Sequence, residues 1–308
     1  KTLSDVGEVE SRAPLSHLFH QHIPWGSPGY SARDIKKGEL KVLIHSNFII
    51  GFTEILNLAA WVSFSITQHT LDVTEKLRPK VPEGIEVKPE DVRELSPEPG
   101  CWKADLRLQR TAEDQCNRAN NEMYSIKNMS QRQLFPEELE DPILLKSEGY
   151  LVSNLSPVYS GFENGARLAV IRSIRRWVPV YGKLNIIHGP IFDYDIDGRQ
   201  DTASQVSNLK PQAASDFFYI ISYCAHNASN AMHNCPHQDL QVLAFTFPNR
   251  KTENKCPMND DDLLRYYLTN VQDIELLTGL RFFKDLETYE SILLKTTQPI
   301  AIWPFKKL

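Results

Sequence analysis

The run Asp193-Tyr194-Asp195-Ile196-Asp197-Gly198-Arg199-Gln200-Asp201 places carboxylates at the first, third, fifth and ninth positions of a loop, with glycine at the sixth. An EF-hand loop surrounds calcium with this spacing: oxygen ligands on alternate residues, glycine where the chain turns sharply, and a backbone carbonyl at position seven. Here the seventh residue is Arg199, whose carbonyl would complete the shell, and the twelfth, where an EF-hand has a bidentate glutamate, is Ser204. Carboxylates this close repel one another unless a hard cation lies between them. The loop therefore reads as a calcium site built from Asp193, Asp195, Asp197, Arg199 and Asp201, EF-like without being a helix-loop-helix hand. The alternative is an acidic surface turn.

Sulfur and imidazole chemistry are less ordered. Five cysteines are an odd number, so at least one thiol has no partner within the chain. His226, His233 and His237 lie close to Cys224 and Cys235 and can be drawn as a zinc cluster. Around His17, His20, His22, His45 and His69 no acidic partners recur at ligand-like spacing. His188 follows the apolar residues Ile186 and Ile187 and precedes Gly189-Pro190, the context of a core histidine on a strand that runs into a turn.

These residues need elements to hold them. The first 37 residues are polar and broken by Pro14, Pro24, Pro28 and Gly29, and read as an extended arm over a core built elsewhere. Residues 38–308 read as one domain. Strands are expected over Lys41–Ile50, Ala60–Gln68, Leu184–Phe192, Phe217–Cys224 and Leu240–Phe247. Apolar residues at helical spacing, ending at Pro179, predict a helix over Phe162–Val178, and a second is expected over Asp261–Thr278. The stretch at 71–100, with Pro79, Pro82, Pro89, Pro97 and Pro99, reads as a surface excursion. Strands and helices mix without a regular βαβ repeat, which indicates an α+β class.

Composition excludes several classes. The most apolar stretch, Phe48–Ile66, is interrupted by Gly51, Glu54, Asn57 and Ser63, so no membrane span is expected. With 39 acidic against 34 basic residues the chain lacks the cationic excess of a dedicated nucleic-acid binder. Lys1–Arg12 has no apolar leader and reads as the start of a processed chain. Asn-X-Ser sequons stand at Asn128, Asn154 and Asn227.

The segment Ile187-His188-Gly189-Pro190-Ile191-Phe192-Asp193-Tyr194-Asp195-Ile196-Asp197-Gly198 resembles the nuclease-like domain of the ectonucleotide pyrophosphatase/phosphodiesterase family. That domain carries a Gly-Pro-aliphatic-Phe-Asp-aromatic-Asp-Tyr-Asp-Gly run. Ser153-Asn154-Leu155-Ser156-Pro157-Val158-Tyr159, Leu243-Ala244-Phe245-Thr246-Phe247-Pro248-Asn249-Arg250 and Asp273-Ile274-Glu275-Leu276-Leu277-Thr278-Gly279-Leu280 also match, in collinear order. Pro24-Trp25-Gly26-Ser27-Pro28 resembles the arm that opens the domain. The resemblance extends from about Pro24 to Lys295 and implies the ββα-metal fold of DNA/RNA non-specific endonucleases, a central, mostly antiparallel sheet flanked by helices.

In active nucleases of that fold an Asp-Arg-Gly-His motif supplies the histidine base, and an asparagine on the following helix holds magnesium. The matching segment here is Ala104-Asp105-Leu106-Arg107-Leu108-Gln109, so the histidine position falls on Leu108 or Gln109, neither of which can take a proton from water. The magnesium-ligand position falls on Glu163, with Asn164 beside it. The resemblance thus implies a secreted, catalytically inactive, calcium-binding domain with a structural or binding role. It further implies a Cys224–Cys235 disulfide and Cys256 free or bridging to a phosphodiesterase domain or chain. Cys101 and Cys116, which flank the degenerate motif, are candidates to pair with each other, whereas the family's equivalents are tied to linker cysteines that this chain lacks. Asn128 and Asn227, in expected loops, are read as glycan sites, while Asn154 lies in a core motif. No strong nucleic-acid binding is expected. The rival is an active metal-dependent nuclease using Glu163, Asn164, Arg107 and a replacement base such as His188.

Overall fold

Strands buried on both faces build the centre of the molecule. In the computed structural model, which describes residues 16–30, 40–77, 102–109, 111–115, 128–139, 148–209, 211–225, 232–252 and 258–305, the strands β2 (Lys41–Ile44), β3 (Ile49–Thr53), β4 (Leu58–Ile66), β7 (Leu184–Ile191), β8 (Asp216–Cys224), β9 (Leu240–Pro248) and β10 (Leu268–Thr269) form one seven-stranded sheet. Its order is β10-β9-β8-β7-β4-β3-β2 and every pairing in it is antiparallel. The fold is α+β, as the sequence predicts.

Successive side chains on a strand point to opposite faces, so a continuous apolar run serves two cores. On β8, Phe217, Tyr219 and Ile221 join one core while Phe218 and Ile220 join the other. The first core is capped by the helix α2 (Leu168–Tyr181), which buries Val170, Ile171, Ile174, Trp177 and Val178. The second is closed by Ile23 and Trp25 of the N-terminal segment and by Val271 and Ile274 of α5 (Val271–Thr278). Two short antiparallel pairs complete the strand set. β1 (Gly29–Tyr30) pairs with β11 (Leu280–Arg281), and β5 (Met129–Gln133) pairs with β6 (Leu155–Tyr159).

The β5–β6 pair runs into a π-helix, Phe162–Arg167, and then into α2, giving a ββα unit. Pro179 does not stop α2. It removes one N–H from the last turn, where the helix has few bonds left to lose, and the helix ends at Gly182 with φ 82°.

Four further expectations change in detail. Lys41–Ile50 is a hairpin, β2 and β3, whose turn holds His45 and Ser46. The helix expected over Asp261–Thr278 is two helices, α4 (Asp260–Tyr266) and α5, because Leu268–Thr269 pairs with β9 and Asn270 then caps α5 through its side chain. Within the expected arm, residues 16–22 are helical; within the expected excursion, α1 (Gln68–Leu77) is a helix and residues 78–100 lie outside the described set.

Gly189-Pro190 is not a turn, for β7 passes straight through it and Pro190 pairs with Phe217. Glycine is required at 189 because a Cβ there would stand 2.4 Å from the Ala60 carbonyl oxygen. Proline is tolerated next to it because pairing with β4 ends at Val62↔His188, before Pro190 would owe that strand a hydrogen bond. The remaining helices are α3 (Ala203–Asn208) and α6 (Thr288–Thr296). Among the described residues no helix is long and apolar enough to cross a membrane.

Candidate functional site

Asp105 is 2% exposed and sits at the centre of the degenerate Asp-Arg-Gly-His segment. Its carboxylate accepts from Arg107 Nε at 2.8 Å, from Arg107 Nη2 at 2.7 Å and from Ser153 Oγ at 2.7 Å. Burial alone would push its pKa up; the Arg107 and Ser153 bonds overcome that and hold it below the usual carboxylate range. Arg107 is committed further, with Nη1 donating to the Ile44 carbonyl at 3.0 Å and Nη2 donating to His45 Nε2 at 2.9 Å. Four of the five N–H donors of a guanidinium are thereby used inside the protein. Leu108 packs into the first core and Gln109 is exposed.

Glu163 and Asn164 lie on the π-helix after β6. Glu163 is ion-paired to Arg132 and accepts from Ser130 Oγ at 3.0 Å, both residues of β5, so its oxygens are occupied by protein donors. Asn164 is exposed. His188 is 3% exposed, donates from Nδ1 to the Phe218 carbonyl at 2.8 Å and stacks on Tyr219 with ring centroids 3.9 Å apart. Burial drives its pKa down to about 3.

The acidic loop has a different character. Ligand-capable oxygens of Asp193, Asp195 and Asp197 lie within 4.8 Å of one another. Oxygens held about 2.3–2.6 Å from one calcium ion can be at most about 5 Å apart, so the three fit a single ion. The turn is made by Ile196 and Gly198, with φ of 59° and 79°, and is tied by Asp197 N to Asp193 Oδ1 at 3.1 Å and by Gly198 N to Asp193 Oδ2 at 3.2 Å. Asp193 has its pKa raised, first by burial, with Asp197 and Asp195 adding repulsion.

Asp201 is 6% exposed; its Oδ2 accepts from Tyr194 N at 3.1 Å, whereas its buried Oδ1 has no hydrogen-bond partner. A buried carboxylate oxygen without a donor is costly, and a cation would satisfy it. Asp201 is not within the three-carboxylate group, and Arg199 contributes its N–H to Asp197 Oδ1 at 2.8 Å. The loop is anchored at both ends: Asp193 N donates to Ser215 Oγ at 3.0 Å, and Thr202 starts α3 with a capping box.

Residues 30–288 match the DNA/RNA non-specific endonuclease family. The chain belongs to that family. It is also similar to ectonucleotide pyrophosphatase/phosphodiesterase family member 3 of Bos taurus, at 26% identity over 91% of this chain and 30% of that protein. Venom phosphodiesterases of Macrovipera lebetinus and Naja atra are each 24% identical, over 98% and 97% of this chain and 34% of theirs. The chain therefore spans about a third of the length of the curated relatives it matches.

Within this endonuclease-family domain the fold brings together Asp105, Arg107, Ser153 and a residue not anticipated from the sequence, His45. Nothing near His45 in the chain marks it, since its partners come from the 105–107 segment. Burial first, and the Arg107 charge second, lower its pKa to about 3. Arg132 and Ser130, which occupy Glu163, were likewise unmarked.

Cys224 and Cys235 are joined by a disulfide, with Cα atoms 5.8 Å apart, which removes both sulfurs from the possible zinc cluster. His237 pairs with Glu290 instead, Nδ1 to Oε1 at 2.7 Å. Asn154 is fully buried, donating to the Gly149 carbonyl and accepting from Phe135 N, whereas Asn128 is exposed on a turn. Cys101, Cys116, Cys256, His226 and Asn227 lie outside the described residues.

Proposed function

We propose that this chain is a secreted, calcium-binding nuclease-like domain that does not hydrolyse phosphodiesters and acts as a structural or binding module. The observation that carries this reading is the fate of the base and its phosphate-binding partner. The histidine position falls on core Leu108 or on Gln109, and Arg107 spends four donors on Asp105, Ile44 and His45. Loss of the general base alone removes about 10²- to 10⁴-fold of rate. Calcium is the ion assigned to the loop because its ligands are carboxylate oxygens in a flexible turn, and hard oxygen donors select hard cations. Asp193, Asp195, Asp197 and Asp201 would hold it, with the Arg199 carbonyl, and its role there is to neutralise the loop.

Similarity to phosphodiesterases about three times as long supports a place beside a phosphodiesterase domain or chain, with Cys256 as the bridging residue. The names of the venom relatives, the Cys224–Cys235 disulfide and the exposed Asn128 support an extracellular setting with glycans at Asn128 and Asn227. A Cys101–Cys116 pair belongs to the same reading.

Family membership favours a rival, an active metal-dependent nuclease using Glu163 and Asn164. His188 is a poor base for it, being buried with its Nδ1–H bonded to Phe218. Incubation of the purified chain with plasmid DNA and RNA in magnesium and in manganese decides the matter. Background-level cleavage is expected; robust cleavage abolished by Glu163→Ala overturns the inactive reading.

A further inference from the structure

His20 and His233 are far apart in the chain, yet their rings meet with centroids 5.3 Å apart and planes inclined at 42°. Both are exposed. Aromatic pairs held by packing favour offset-stacked or edge-to-face arrangements. Both forms occur in this protein: His188 lies 3.9 Å from Tyr219 at 12°, and Phe19 meets His20 at 6.0 Å and 89°. The His20–His233 pair is tilted, as are packed pairs such as Tyr181–Tyr223 at 38°, so its inclination fits either cause, and what marks it is that two exposed imidazoles meet at this separation. Two imidazoles bound to one tetrahedral ion, each with its nitrogen about 2.0–2.1 Å from the metal, have ring centroids roughly 5.2 Å apart.

We propose that His20 and His233 form a surface site for a divalent transition ion of the zinc class. Imidazole is the ligand such ions share, and these two rings do not depend on the acidic loop or the degenerate nuclease segment. Both backbones are held in place without the ion. Just after His20, Ser63 Oγ donates to the His22 carbonyl at 2.5 Å and Ser65 Oγ donates to the Gln21 carbonyl at 2.6 Å, fastening the helical segment 16–22 to β4. His233 lies on a short 3₁₀ turn, Met232–Asn234, closed by Cys235 N to the Met232 carbonyl at 3.0 Å and followed directly by the disulfide-bonded Cys235. Two rings so anchored lose little freedom when an ion joins them.

Water would fill the positions that the two imidazoles leave open. A bound ion would strap the N-terminal segment to the disulfide loop. The sequence grouped His233 with His226 and His237 around the cysteines, but the disulfide and the His237–Glu290 pair dissolve that cluster and leave His233 facing His20.

Calorimetric titration of the full chain with zinc chloride at pH 7.4, in saturating calcium so that the acidic loop is not counted, tests the site. One zinc per chain is expected, weakened at least tenfold by His20→Ala and by His233→Ala, and unchanged by His69→Ala, an exposed histidine elsewhere. Zinc affinity unaffected by His20→Ala or His233→Ala overturns the proposal. So does a loss of binding in His69→Ala, or a pair of variants that melt earlier while still binding zinc normally, since the contact would then be packing alone.

Discussion

His45 Nε2 lies 2.9 Å from Arg107 Nη2, and this one hydrogen bond ties an imidazole from the β2–β3 turn to the guanidinium of the 105–107 segment. A guanidinium can only donate, so Nε2 must present its lone pair and the ring proton sits on Nδ1. The imidazole is thus neutral with its basic nitrogen already occupied, and burial keeps its pKa at about 3. On the other side, Arg107 commits a donor to the ring in addition to those on Asp105 and Ile44. The site has the residue types of a base and an electrostatic clamp, turned toward each other and toward Asp105.

Restoring a histidine in the motif should therefore not restore catalysis. Gln109→His is expected to leave plasmid digestion within tenfold of background in magnesium or manganese. Arg107 stays bound to Asp105 and Glu163 to Arg132 in that variant. Efficient cleavage by Gln109→His would show that the missing base was the sole defect.

Arg107→Ala removes the partner of a carboxylate that is 2% exposed. Breaking a buried pair costs about 3–5 kcal/mol, but Arg107 is 38% exposed and solvent reaches the gap, so about 2–3 kcal/mol is expected in urea unfolding. Arg107→Ala combined with Asp105→Asn should recover part of the loss, because the unpaired charge is gone. Equal destabilisation by the single and double variants would mean that the ion pair is not what stabilises this segment.

Calcium should raise the melting temperature. For a dissociation constant of about 10⁻⁴ M, within the range of extracellular modules, 2 mM calcium stabilises by about 1.8 kcal/mol. For a chain of this size that is a shift of roughly 3–6 °C. Asp195→Ala with Asp197→Ala should abolish the shift while leaving the melt in chelator within a degree or two, since both side chains are exposed. Identical melting of the unsubstituted chain in calcium and in chelator removes the calcium assignment.

Acid should destabilise the chain as soon as pH falls below the ordinary histidine range. Burial lowers the pKa of His22 to about 4 and of His45 and His188 to about 3, from the ordinary 6.5. Between these values the unfolded chain binds protons that the folded chain refuses. The stability from keeping these rings neutral is therefore complete above about pH 6.5 and drains away as pH falls toward 3–4, at up to about 1.4 kcal/mol per pH unit for each histidine. Unfolding free energies measured from pH 7.5 to 4.5 should fall steeply, and less steeply in His188→Gln. A flat profile over that interval, at constant calcium, is the contrary result.

Local chemistry was legible in the sequence. Asp193, Asp195 and Asp197 are neighbours along the chain, so alternation around a glycine was enough to bring their oxygens together. The runs that became β7, β8 and β9 were visible because a sheet buried on both faces needs apolar residues at consecutive positions. Absence of a histidine at Leu108 and Gln109 was equally a matter of reading the chain. Tertiary structure decided what those residues face. The strand through Gly189-Pro190 depends on Ala60 and on where β4 stops pairing, the break between α4 and α5 on β9, and the engagement of Arg107 on His45. Each of these is a contact between residues far apart in sequence, formed when burial brings separate elements into register, and no local spacing encodes it.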